Sequence, residues 1–276
     1  MPRRLVHGLL AAATAGSLLA AVVSPAAADP LPTPPNGVGT AGPPYDYTTE
    51  LVGQFPFIPL KDKSLLTRTA HGYRYWSGQQ DNDITLRVRG NRIRITDTGT
   101  KRFKRLAGSC RRVPVRRGIG ASCRLPDASP RKPVLLEIWP RLGDDRVDAS
   151  TLSASFAVAV LGDAGNDTAR LGAGDDFFNG HTGRDRVWGG RGRDWIRAGR
   201  GNDVIHGGAG RDQLIGQDGR DRLHGGAGDD RVGGDDGHDR LWGGRGRDFV
   251  LGGNGRDRAW TDGLDRLLTV EVVRRR

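Results

Sequence analysis

Gly207-Gly208-Ala209-Gly210-Arg211-Asp212-Gln213-Leu214-Ile215 runs directly into Gly216-Gln217-Asp218-Gly219-Arg220-Asp221-Arg222-Leu223-His224. Both nonapeptides carry Gly at the fourth place, Asp at the sixth and an apolar residue at the eighth. Extending the frame in both directions gives eleven uninterrupted blocks from Gly162 to Trp260. The eighth column reads Ala169, Phe178, Val187, Ile196, Ile205, Leu214, Leu223, Val232, Leu241, Val250, Ala259. Three columns held in phase this long mark a repeat architecture. A glycine-rich disordered segment has no periodic apolar column.

Each column has a physical reading. Glycine at the first, second and fourth places lets the chain turn through positive φ. The last three residues of a block form a short strand, its eighth side chain inward and its seventh and ninth outward. Two consecutive blocks make one coil, giving two parallel sheets joined by turns. Along each edge, sixth-place carboxylates then stack about 4.8 Å apart, which is repulsive unless a cation lies between them. Calcium suits such turns, because it accepts six to eight carboxylate and carbonyl oxygens in forgiving geometry.

The pattern G-G-x-G-x-D-x-U resembles the nonapeptide of the RTX, or haemolysin-type, calcium-binding family. The resemblance implies an all-β fold, a right-handed parallel β-roll with Ca²⁺ between the turns of successive coils. Carried over by position, the side-chain ligands are Asp167, Asp176, Asp185, Asp194, Asp203, Asp212, Asp221, Asp230, Asp239, Asp248 and Asp257. Turn carbonyls complete each shell, and pairing blocks one coil apart allows nine sites. Two departures stand out. Arg fills the fifth place in six blocks, and residues 162–260 hold 17 Asp against 16 Arg, where the family's rolls are strongly acidic. Guanidinium groups beside the turns are expected to offset the aspartates and weaken the dependence of folding on calcium.

Outside the repeat, residues 1–28 read as a cleaved signal peptide: Arg3-Arg4, an apolar run from Leu9 to Val23, and Ala26-Ala27-Ala28 before Asp29. Secretion to the cell exterior follows, with no membrane span in the mature chain. Residues 29–44 form a proline-rich linker, 45–161 a small N-terminal β cap, 162–260 the roll and 261–276 a C-terminal cap. In an oxidising compartment Cys110 and Cys123, the only cysteines, are expected to pair.

Within the cap, Ile84, Leu86, Val88, Ile93 and Ile95 alternate with polar residues about Gly90-Asn91, the pattern of a hairpin. Strands are expected at 134–139 and 154–160. Gly143-Asp144-Asp145-Arg146-Val147 is a degenerate block, set before Asp167 at a spacing somewhat wider than one coil, and Gln80-Asp81-Asn82-Asp83 is a weaker relic. From Ile84 to Arg124 there are 13 Lys and Arg against one acid, Asp97, a field that attracts polyanions. No specific nucleic-acid motif accompanies it. H-E-x-x-H, G-x-S-x-G and Walker signatures are also lacking, so no enzyme is expected.

Alternate ninth residues share one sheet, placing Trp188, His206, His224, Trp242 and Trp260 in one outward column beside Arg186, Arg222 and Arg240. Rings flanked by guanidinium groups are a candidate ligand face for acidic polysaccharide or cell-wall polymer. His206 and His224 are also spaced to share zinc or copper. The expected protein is a monomeric, secreted calcium-binding module. An adhesin-like binder of acidic glycans is the alternative.

Overall fold

The computed structural model describes residues 62–127 and 131–275; the signal-peptide and linker readings lie outside them. Among the described residues there is no helix, and therefore none long and apolar enough to cross a membrane. The strands form two sheets, of 11 and 12 members. Through the repeat the chain alternates between them, as in Arg186–Arg191, Trp195–Gly201, Val204–Ala209 and Gln213–Gly219. Every strand pairs in parallel with the one a coil further on: Val187 with Ile205, Ile205 with Leu223, Ile196 with Leu214. The architecture is a parallel β-solenoid whose period is the pair of nonapeptides that the sequence dictates.

The strands are longer than three residues. Arg186–Arg191 runs from the seventh place through the third place of the next block, alternating exposed and buried. Two side-chain positions per strand therefore face inward, the eighth and the following first. The eighth-place residues Val187, Ile196, Ile205, Leu214, Leu223 and Leu241 are fully buried between the sheets. The first place is nearly always glycine, and φ is not the reason: positive φ occurs at the second and fourth places, not the first. Space is the reason. A Cβ on Gly207 would lie 2.5 Å from Oδ2 of Asp212 and 2.7 Å from the carbonyl oxygen of Gly225. At the second place, Asp163, His181, Gln217 and Asp235 hold the same turn at φ of 73°, 71°, 78° and 70°. Asp and His are among the residues that enter this left-handed region most readily, and none of the four is β-branched.

Hydrogen-bonded coils continue on the N-terminal side of Gly162. Phe156–Leu161 pairs in parallel with Val134–Trp139, which pairs with Gly72–Trp76; on the other sheet Thr168–Arg170 pairs with Arg146–Asp148, and that with Asp83–Arg89. The hairpin turns at Gly90 (φ 58°) between Asp83–Arg89 and Arg92–Asp97. Ile119–Arg124 and Cys110–Arg112 extend that sheet antiparallel, placing Cys110 directly opposite Cys123, where they form the disulfide. At the other end Arg266–Leu268 and Val272–Arg275 add the last pair of strands.

Outward positions on the two sheets fare differently. Phe177 and Trp195, seventh-place residues expected to face solvent, are buried in a second apolar cluster with Leu135, Ala157 and Ala159. Their rings meet edge to face at 5.8 Å.

Candidate metal centre

The sixth-place aspartates form two continuous ladders, one along each edge of the solenoid. In one, the amide of each Asp donates to Oδ1 of the Asp one coil later. The contacts are 2.8 Å from Asp167 to Asp185, 2.7 Å from Asp185 to Asp203, and 2.8 Å from both Asp203 to Asp221 and Asp221 to Asp239. The series closes at 2.9 Å from Asp239 to Asp257. The other edge repeats the bond through Asp176, Asp194, Asp212, Asp230 and Asp248. All eleven predicted aspartates are brought into these two ladders, each at most 3% exposed.

The ladders extend beyond the repeat. Asp145 donates to Asp167 and accepts from Asn82, so the degenerate block and the weaker relic both supply rungs. The spacing of 22 residues there, against 18 between Val158 and Asp176, puts the four extra residues between Asp145 and Val158. At the far end Glu271 accepts from Asp257 and Asp265 from Asp248. These two end rungs had no nonapeptide around them to give them away.

Oδ1 is satisfied; Oδ2 is not. In ten of the eleven repeat aspartates, and in Asp145, Oδ2 is buried without a hydrogen-bond partner. The exception is Asp176, whose Oδ2 accepts from the amide of Gly172 in the one block that begins with Leu171. Burial pushes these carboxyls well up, to about 8 at Asp185 and Asp221, about 7 at Asp167 and Asp230, and about 6 at Asp203 and Asp212. Neighbouring carboxylates add to the effect, as Asp203 and Asp239 do at Asp221. A buried oxygen with no donor calls for a proton or a cation.

The surrounding donors suit a hard cation. The gap beside Gly207 is bordered by a carboxylate oxygen of Asp212 and the carbonyl oxygen of Gly225, and the same pairing recurs at Gly189 with Asp194 and Gly207. Among the described residues no three His, Cys, Asp or Glu side chains converge on one point. A cation here would draw on carboxylate and backbone oxygens together, the donor set of calcium and not of zinc or copper.

The fifth-place arginines stand apart from the ladders. Five of the six amides are capped by a side chain one coil earlier, Arg184 by Asn166, Arg220 by Asn202, Arg256 by His238, Arg193 by Asp175 and Arg247 by Asp229. The Arg247 guanidinium pairs with Asp229 at 3.1 Å, not with a ladder carboxylate. Any offset of the aspartates therefore acts from the exposed surface, through the long-range field.

The outward column on the second sheet forms one stack. Centroid distances are 5.9 Å for Trp188–His206, 4.7 Å for His206–His224, 4.0 Å for His224–Trp242 and 4.3 Å for Trp242–Trp260, with planes within 10° of parallel. Arg170 lies over the outer face of Trp188 at 5.3 Å. Ring faces inside the stack meet one another, so the column offers edges and not a platform for sugars. The rings of His206 and His224 lie in planes 10° from parallel with centroids 4.7 Å apart, so in-plane lone pairs on the two rings lie in separate, stacked planes. Arg186, Arg222 and Arg240 are exposed beside it.

The RTX calcium-binding nonapeptide repeat model matches six overlapping windows, 161–196, 179–214, 188–223, 197–232, 206–240 and 224–259. No curated protein and no solved structure matches the chain. With the solenoid period, the aspartate ladders and the glycine turns in agreement, residues 161–259 are RTX calcium-binding repeats, and the chain carries a calcium-binding β-roll.

Proposed function

We propose that this is a secreted binding or structural module whose roll is held together by calcium at the aspartate ladders. The observation that carries the reading is the row of buried, unpartnered Oδ2 atoms, ten in the repeat. The eleven sixth-place aspartates, with first-place carbonyls, are the groups that would hold the ions. Bound calcium supplies the positive charge that lets stacked carboxylates stay ionised without repelling each other. Because these oxygens converge only in wound coils, ion binding favours the folded roll over the unfolded chain. The disulfide between Cys110 and Cys123 fits an oxidising exterior.

Isothermal titration of the purified chain with Ca²⁺, beside thermal unfolding with and without the ion, tests the proposal. Uptake of several ions with a rise in Tm is expected. No uptake at millimolar Ca²⁺ would overturn it.

A further inference from the structure

We infer that the C-terminal end of the roll carries a binding groove for a linear acidic polysaccharide, lying along the solenoid axis. The inference rests on the reading of the roll as an extracellular binding module and names its ligand class. The groove, about 450 Å³, is lined by Arg220, Arg222, Arg240, Arg256, Arg258 and His238, over the ladder residues Asp221 and Asp239.

Two rows of cations border it. Arg222, Arg240 and Arg258 occupy the seventh place of three successive coils in direct register. Like charges at this spacing, about 4.8 Å, destabilise a sheet unless something neutralises them. Arg220 and Arg256 form the second row, two coils apart, with His238 between them. The imidazole is held by its Nδ1, which accepts from the Arg256 amide at 2.9 Å, leaving Nε2 as a donor. Some arginines elsewhere find carboxylates, Arg87 with Asp148 at 2.6 Å, Arg247 with Asp229 at 3.1 Å and Arg200 with Asp218 at 3.4 Å, while others, Arg186 and Arg193 among them, stand singly without one among the described residues. The five groove arginines make no ion pair with any described residue, although all are exposed and crowded together.

The two acids in the groove do not supply the missing charge. Asp221 and Asp239 are buried, 1% exposed each, with Oδ1 already bonded to an amide, so neither reaches the exposed guanidinium groups. The uninterrupted arginine row is also confined to this end: two coils before Arg240 the seventh place holds Val204. An anion bearing several carboxylates or sulfates would bind guanidinium groups through paired hydrogen bonds. A sugar ring is about as long as one coil rise, so a chain with an acidic group on each or every second ring presents charges in step with both rows. Nucleic acid fits less well. Grooves for single strands pair cations with exposed aromatic faces, and the neighbouring rings are closed upon one another.

The test uses the full chain in saturating Ca²⁺ with oligomers of hyaluronate, chondroitin sulfate and poly(dT), titrated at two salt concentrations. The groove triple Arg222→Ala/Arg240→Ala/Arg258→Ala is compared with the charge-matched surface triple Arg193→Ala/Arg200→Ala/Arg245→Ala. Calcium uptake and circular dichroism are measured on each. At least tenfold weaker glycan binding in the groove triple alone supports the inference. Equal losses in both triples, glycan binding unchanged in a groove triple that takes up calcium normally, or poly(dT) binding as tight as glycan would each overturn it. Wild-type protein that takes up no calcium overturns instead the proposed function, so the two failures are separable.

Discussion

The amide of Asp203 donates to Oδ1 of Asp221, one coil away, at 2.8 Å, while Oδ2 of Asp221 is buried with no donor in reach. One carboxylate thus has two separable duties. Oδ1 is part of the backbone scaffold; Oδ2 is free for an ion.

Substitution separates the duties. Asp221→Asn keeps an acceptor for the Asp203 amide but removes the charge, so stability without calcium should stay near wild type while the calcium-induced rise in Tm shrinks. Asp221→Ala removes both and leaves a buried amide unpaired, costing about 1–3 kcal/mol even without calcium. Denaturant unfolding of both variants, with chelator and with Ca²⁺, reads the difference. Equal loss in chelator would show that Oδ1 has no scaffold role.

Most of this arrangement is legible in the sequence because a period of two nonapeptides leaves one way to superimpose the columns. Val187, Ile205 and Leu223 had to stack once the frame was set, and they do. What escapes the sequence is what periodicity does not encode. First-place glycine looks like a turn residue, but it exists to leave room for a carboxylate. Glu271 and Asp265 close the ladders from outside the repeat, where no frame points to them. The groove is hidden for another reason: Arg220 and Arg222 are two places apart in sequence, and their shared void with Arg256 and Arg258 exists only after coiling.

Glycine at the fourth place faces a harder limit than at the ninth. Gly210 has φ of 139°, and a Cβ there would come within 1.7 Å of the Gly192 carbonyl oxygen. Gly233 sits on the outer face with its nearest atom at 3.7 Å and no positive φ. Gly210→Ala should cost upward of about 2 kcal/mol, from strain and displacement of the neighbouring coil. Gly233→Ala should be neutral or stabilising by about 0.5 kcal/mol, through reduced freedom of the unfolded chain. Chemical denaturation of both variants checks the contrast.

The ring stack is expected to stabilise, not to bind. Trp242 contacts His224 at 4.0 Å and Trp260 at 4.3 Å. Trp242→Ala should cost about 1–3 kcal/mol from two lost ring pairs. Glycan affinity should stay within about twofold, roughly a third of the 1.4 kcal/mol that makes a factor of ten. A stably folded variant with sharply weaker glycan binding would return the rings to the ligand face.

The last prediction concerns pH. Burial raises the ladder carboxyls above their ordinary value of 3.8, to about 8 at Asp221 and about 6 at Asp203. A raised native value means the folded roll holds protons that the unfolded chain has released. The resulting stabilisation of the metal-free roll is full below pH 4 and is lost as pH rises through about 6 to 8. Calcium must displace those protons, so its binding strengthens over the same range and releases protons near neutrality. Metal-free protein should therefore remain wound at pH 5, loosen toward pH 8, and be restored there by Ca²⁺. Circular dichroism across pH with and without chelator measures the first part. Titration calorimetry in buffers of different ionisation enthalpy counts the protons. Metal-free stability that rises from pH 5 to 8, or calcium uptake without proton release at pH 7, would show that the buried Oδ2 atoms are not where the ion and the proton compete.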